Sequence, residues 1–233
     1  MPIDEPVRGA IRVVVIGASG FGREALDVLE AMGTAGAALD IAGVVDDGPS
    51  QANLTRLADR DVAYLGTLDN WLAETDRDIR YVLGIGSPPV RRRIVERLDR
   101  EGLRPMAAVH PSATFGARSE LAEGTVVCAG AAISGNVRFG RHVHVNPNAT
   151  IGHDAVLGDF VSINPAAAIS GEVTVGAETL VGAAATILQN LTVGESAVIG
   201  AGAVVTKNVP SGVVVIGVPG TWTSSPAVSI TDH

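Results

Sequence analysis

Apolar residues recur along this chain with two different rhythms. From Ala113 to Asn208 the sequence divides into sixteen consecutive hexads without insertion or deletion, and the third residue of each, from Phe115 to Val205, is apolar. The first residue is small or β-branched in nearly all of them, and the fourth is Gly in eight, among them Gly152, Gly176 and Gly182. A fixed six-residue period marks a repeat architecture. Positions one and three share one side of a short strand, because side chains alternate with period two. The pattern predicts a strand and a corner per hexad, with glycine at position four supplying the permissive backbone of the turn. No hexad can bury its apolar residue alone, so the coils must stack. A 3.6-residue helical stripe is excluded.

Before residue 113 the rhythm is that of an α/β unit. Ile11–Ile16 reads as a strand, Gly17-Ala-Ser-Gly-Phe-Gly22 as a glycine loop, and Arg23–Met32 as an amphipathic helix. Further strands are predicted at Ile41–Val45, Tyr81–Ile85 and Arg104–Val109. Thr67–Glu74 reads as a short helix, and Pro88–Arg100 as a helix capped by Ser87 with proline in its first turn. Val213–Pro219 is a last apolar segment, and Ser224–His233 reads as a loose tail. The expected domains are 1–112, a small Rossmann-like α/β fold; 113–210, a β-solenoid; and 211–233, a C-terminal segment and tail.

Composition supports this division. Fourteen of sixteen arginines lie at or before Arg118, and aromatics make up 3% of the chain, as a thin core of Val, Ile and Ala permits. The net charge of −8 argues against a nucleic-acid partner. The single cysteine, Cys128, fits a reducing cytoplasm and reads as structural. The N-terminus shows no signal pattern, and no apolar run approaches the roughly 20 residues of a membrane span.

Several residues are candidates for chemistry. The glycine loop lacks the G-x-G-x-x-G order, so it suits a tight turn or a nucleotide phosphate at a helix N-terminus better than a dinucleotide. Asp46 and Asp47, ending the next strand, would face the same crevice and accept hydrogen bonds from a base or ribose. Arg91, Arg92 and Arg93 read as a solvated helical face. His142, His144 and His153 all occupy outward hexad positions. His153 is followed by Asp154; a neutral imidazole can take a proton near neutral pH, and an adjacent carboxylate can orient it.

The hexads resemble those of the hexapeptide-repeat acyltransferases. Together with Asp46-Asp47, His110-Pro111, Ile151-Gly-His-Asp154, Gly158-Asp-Phe160, Ala203-Val-Val-Thr-Lys207 and Gly217-Val-Pro219, almost the whole chain resembles the bacterial nucleotide-sugar acetyltransferases acting on bacillosamine and perosamine precursors, grouped with sialic acid O-acetyltransferases. The resemblance implies a left-handed parallel β-helix with three hexads per coil, so that residues eighteen apart stack over five coils and a remainder. It implies an acetyl-CoA-dependent N-acetyltransferase for a nucleotide-linked amino sugar, or an O-acyltransferase. His153 would be the general base and Asp154 its orienting acid. Ser162, Gly171, Ala183, Ala201 and His144 would lie near acetyl-CoA, and Ser19, Gly20, Phe21, Asp46 and Asp47 near the sugar nucleotide. A homotrimer with sites between neighbours is implied, its packing helped by outward Ala166, Ala168 and Ala183–Ala185. Two positions depart from the family pattern. Ser162 stands where a second histidine is usual, and Phe21 replaces the histidine of a Gly-His-Gly loop. His144, eighteen residues before Ser162, is a candidate replacement.

Two other classes compete. A trimeric β-helical carbonic anhydrase would bind zinc through three histidines, for which His142, His144 and His153 are the available set. A non-catalytic binding protein would keep the fold without turnover.

Overall fold

The computed structural model describes residues 9–223, so the N-terminal stretch and the tail from Ser224 lie outside the described residues. In the first unit four parallel strands, β1 (Ile11–Ile16), β2 (Leu39–Val45), β3 (Arg80–Leu83) and β4 (Arg104–Pro105), form a sheet of order β2-β1-β3-β4. Helix α1 (Gly20–Thr34) packs on one side, where Leu26 and Leu29 meet Val13, Val15 and Val82. Helices α3 (Leu68–Glu74) and α4 (Pro88–Arg100) cover the other, where Trp71, Val95 and Leu98 meet Val14, Ile16 and Leu83. Alternation along β1 thus feeds two apolar layers. Helix α2 (Gln51–Ala58), which hydrophobic patterning did not reveal, is capped by the Ser50 side chain accepting from Asn53 N.

Arg104–Val109 is not one strand. Met106 N still donates to Tyr81 O, but Ala108 N donates to Thr125 O, so the chain leaves the α/β sheet and enters the solenoid ladder. That ladder runs from Ala108–Val109 to Val214–Val215 and has three faces. The first carries Val126–Val127, His144–Val145 and Ser162–Ile163; the second carries Thr150–Ile151 and Ala168–Ile169; the third carries Arg138–Phe139 and Val156–Leu157. The eighteen-residue register holds: His144 pairs with Ser162, and Thr150 with Ala168. Positions one and three form the core, including Ala149, Ile151, Ala167 and Ile169. Ala185 is a position-one residue in that core, and so it is not an outward packing residue.

The corners follow a different rule from the one glycine suggested. Positive φ falls at position six, at Asn136, His142, Asp154, Phe160 and Ala166 among others, with φ near +60°. Asn and Asp tolerate this left-handed conformation best among non-glycine residues. Glycine at position four answers the neighbouring coil: a Cβ on Gly152 would lie 2.4 Å from Gly171 N, and one on Gly176 2.5 Å from Glu195 N. Gly176→Ala is therefore expected to cost about 1–3 kcal/mol or more, because backbone must move. Gly202→Ala, at a position-six site with φ +68° and open space around its Cβ, is expected to cost less than about 2 kcal/mol. Urea unfolding of both variants tests the contrast.

The α/β unit sits on the start of the first face. The outward residues Val126, His144 and Ser162 are buried there, whereas Thr114, Ala132 and Thr150 on the second face are exposed. Ala108, Val126 and Cys128 join the α1 cluster, and Phe160 joins that of α4. Burial pushes the Cys128 thiol up to about 12, so it behaves as an inert packing residue.

Candidate active site

His153 stands on the corner after the second face. The chain there is laced to both neighbouring coils: Asp154 N donates to Gly135 O, and Glu172 N donates to His153 O. Asp154 adopts φ +60°, which turns its carboxylate beside the preceding ring. His153 Nδ1 and Asp154 Oδ2 are 2.7 Å apart, and Asn136 Nδ2 donates to Asp154 Oδ1 at 2.9 Å. The bond from His153, followed by that from Asn136, holds the Asp154 carboxyl below its ordinary value. An ionised Asp154 accepts only, so Nδ1 carries the proton and Nε2 keeps its lone pair. A Cβ on residue 171 would lie 2.6 Å from both Cε1 and Nε2 of His153; Gly171 therefore leaves room for that edge of the ring. His153 is 64% exposed, open to a substrate from outside the chain. Asn136 escaped the sequence reading, although its place eighteen residues before Asp154 put it in the same stack.

His144 and Ser162 point out of the solenoid, as expected, but not into solvent. Both are buried under the α/β unit. Phe21 stacks on His144 with ring centroids 4.3 Å apart. Ser162 Oγ accepts from Arg91 Nη1 at 3.0 Å and donates to Gly86 O at 3.3 Å. Its hydroxyl is occupied by protein partners on a different face from His153. Ala183 and Ala201 are exposed on the corner after the first face.

Arg91 overturns the expected solvated arginine face. It is fully buried, donating to the carbonyls of Ile85, Gly86 and Phe160 as well as to Ser162. With no carboxylate beside it, burial pulls its guanidinium down to about 9. The buried stripe of α4 is Pro88, Arg91, Val95 and Leu98, so helical periodicity had already put Arg91 on the inner face. Arg92 is exposed and pairs with Glu178 at 2.7 Å.

The nucleotide candidates divide between two hollows: Asp46 and Asp47 share one, and Gly20 and Phe21 line another against the solenoid. A crevice of about 190 Å³ is lined by Gly17, Asp46, Asp47, Leu68 and Ile85. Asp46 Oδ2 accepts from Ala18 N at 2.8 Å, and Asp47 Oδ1 accepts from Leu68 N at 2.8 Å. Asp46 Oδ1 also accepts from Gly48 N at 2.9 Å, so both of its oxygens fix loops, whereas Asp47 keeps Oδ2 for a ligand or solvent. Ser19 is the N-cap residue of α1, without a side-chain cap bond, and Gly20 and Phe21 begin the helix.

The three histidines of the zinc reading do not form a ligand set. His142 stacks between Phe160 and Tyr81, with centroids 5.4 and 6.0 Å away, His144 lies against Phe21, and His153 is on another corner. Burial drives the His142 imidazole down to about 3 and that of His144 well below its ordinary value. Both stay neutral in the fold, while the unfolded chain binds protons below about pH 6.5. Stability is therefore full above that value and declines as pH falls through it, by about 1.4 kcal/mol per pH unit for each histidine. Thermal unfolding should show a lower Tm at pH 5.5 than at pH 7.5, and His142→Phe should reduce the difference.

Comparison with known proteins adds to this geometry. Residues 12–98 match the family model described as the PglD N-terminal domain. Perosamine N-acetyltransferase from Caulobacter crescentus, solved as a histidine variant with CoA and GDP-perosamine, superposes with a TM-score of 0.83 at 29% identity, covering 94% of this chain and 99% of its own. The acetyltransferase domain of PglB from Neisseria gonorrhoeae, in complex with acetyl coenzyme A, gives a TM-score of 0.79 at 28% identity, covering 92% and 100%. The chain thus carries a PglD-type N-terminal domain and shares its whole fold with these sugar acetyltransferases. WeeI from Acinetobacter baumannii AYE, at 24% identity and a TM-score of 0.80, shares the fold over 92% of this chain and 100% of its own. No curated protein sequence matches the chain. The likeness extends over 92–94% of the chain, and the protein is an acyltransferase. Among the described residues no helix is long and apolar enough to cross a membrane.

Proposed function

We propose that this acyltransferase moves the acetyl group of acetyl-CoA onto the amine of a nucleotide-linked amino sugar, with His153 as general base. The observation that carries the reading is the Asn136–Asp154–His153 chain, which commits Nδ1 and leaves Nε2 open. The amine attacks the thioester carbonyl, and Nε2 takes its proton as the N–C bond forms. Asp154 stabilises the imidazolium. The C–S bond breaks, and the thiolate leaves with a proton returned from Nε2. A backbone amide such as that of Gly171 is the candidate donor to the oxyanion. The reaction needs no metal.

The α/β domain supplies the nucleotide crevice, and the solenoid supplies the transfer site. Within one chain they are apart: His153 lies past the second face, a whole hexad from the corner that carries Ala183 and Ala201. A homotrimer, placing one copy's second corner beside another's first, would join them; exposed Ala166, Ala183 and Ala184 permit close approach. Light scattering at micromolar protein should give a trimeric mass. Acetyl-CoA as donor supports a reaction in the cytoplasm. Thiol release from acetyl-CoA, measured across UDP-, GDP- and dTDP-linked amino sugars, should identify one that is turned over. Release no faster than hydrolysis with every member would overturn the reading.

A further inference from the structure

The corner that carries His153 is built alike in successive coils. Arg118, Asn136, Asp154, Glu172 and Asn190 follow one another at position six, each with φ near +60°. From Asn136 onward each backbone N–H donates to a carbonyl of the preceding coil: Asn136 to Ala117, Asp154 to Gly135, Glu172 to His153 and Asn190 to Gly171. Asparagine suits such a left-handed site whatever its side chain does. At Asn136 the side chain does more. Its Nδ2 reaches the following coil and donates to Asp154 Oδ1 at 2.9 Å, while Asp154 Oδ2 lies 2.7 Å from His153 Nδ1.

Each carboxylate oxygen of Asp154 therefore has its own partner. The terminal torsion of an aspartate is broad, so nothing in the side chain itself fixes the plane of the carboxylate. Asp154 is 47% exposed, and with one anchor it would turn in water. The neighbouring charges do not supply a second anchor. Arg118, two coils before, pulls on Asp154 through its charge alone. Glu172, one coil after, is a like charge and has nothing to donate when ionised. His153 finds no side-chain support in its own column either, since Gly135 and Gly171 stand at position five in the adjacent coils. The orientation of the ring depends on Asp154, and that of Asp154 on Asn136.

We propose that Asn136 is a positioning residue of the transfer reaction, acting through Asp154: it holds Oδ2 toward the ring and so keeps the proton on Nδ1 and the lone pair on Nε2. This deepens the functional reading above and rests on His153 being the general base.

Substitutions in the full-length protein separate this role from a backbone one. Asn136→Gly keeps the left-handed φ and removes the donor. It should lower kcat roughly 10-fold, part of the 10²–10⁴-fold that a positioned base supplies. KM for both substrates should stay within about 2-fold, because the interaction lost acts in the transition state. Asn190→Gly makes the same backbone change two coils from Asp154 and should leave kcat within about 2-fold. Asn136→Asp sets two carboxylates face to face, and since both cannot ionise at contact, the pKa of one rises. Its protonated form again donates to Asp154. Turnover of Asn136→Asp relative to the parent protein should therefore rise as pH falls from about 8 to about 6. A further readout needs no substrate. Nitrogen NMR of the histidine rings, with the His153 signals assigned by their loss in His153→Ala, should show Nδ1 protonated in the parent protein. In Asn136→Gly the proton should be shared between Nδ1 and Nε2. Parental kcat or an unshifted tautomer in Asn136→Gly, equal losses in Asn136→Gly and Asn190→Gly, or a pH-independent ratio for Asn136→Asp would each overturn the proposal. Parental turnover in His153→Ala would instead remove the functional reading beneath it.

Discussion

His153→Ala is expected to lower turnover by about 10²–10⁴-fold, the usual contribution of a positioned general base. Acetyl-CoA affinity should stay within a few-fold, because an alanine at this exposed corner disturbs neither the solenoid core nor the ladder. Asp154 N and the His153 carbonyl keep their inter-coil bonds whatever the ring does. Asp154→Asn should lose less: an amide can still hold the ring through its oxygen, but it cannot balance the imidazolium charge. Thiol release under saturating acetyl-CoA, with isothermal titration for affinity, separates the two effects. Turnover near that of the parent protein in His153→Ala would remove the mechanism.

Arg91→Met is expected to cost about 3–5 kcal/mol of stability, the upper range for single substitutions. Methionine fills much of the space but donates nothing. The carbonyls of Ile85, Gly86 and Phe160 and the Ser162 hydroxyl would lose their shared donor, at about 1–3 kcal/mol for each group left unsatisfied. Against this stands the relief of burying an uncompensated cation, which burial alone has drawn down to about 9. Four acceptors outweigh one charge here, because the guanidinium is the bridge from the loop after β3 to the solenoid. Urea denaturation with tryptophan fluorescence should show a lower midpoint, and Arg91→Lys, which keeps the charge and one donor direction, should lie between. An unchanged midpoint in Arg91→Met would mean that the bridge contributes nothing to stability.

The repeat was legible in the sequence because a thin three-sided core imposes its period directly. Every sixth residue must be apolar, which counting reveals; that every eighteenth stacks, pairing His144 with Ser162, was implied by the resemblance to three-hexad coils. The α/β elements were legible for a similar reason, since local alternation and capping specify them. Helix α2 is the exception; it buries only Leu57 and so leaves little apolar rhythm to read. The His153–Asp154 pair was visible as neighbours in the chain. Its orientation was not, because that depends on the left-handed φ of Asp154 and on Asn136 one coil away.

Residue order alone established a six-residue solenoid behind an α/β unit, with a His-Asp pair on one of its corners. Only the tertiary structure decided what covers the first solenoid face. A period of six says which residues leave the core, but not whether they meet water or another domain. His144 and Ser162 have the same outward position as Thr150, yet docking of the α/β unit buries the first two and leaves the third exposed. The same docking made Arg91 an internal strut and created the hollow beside Phe21. Those contacts join residues about seventy positions apart, beyond the reach of any local pattern, and the free energy of burying two apolar surfaces against each other selects them.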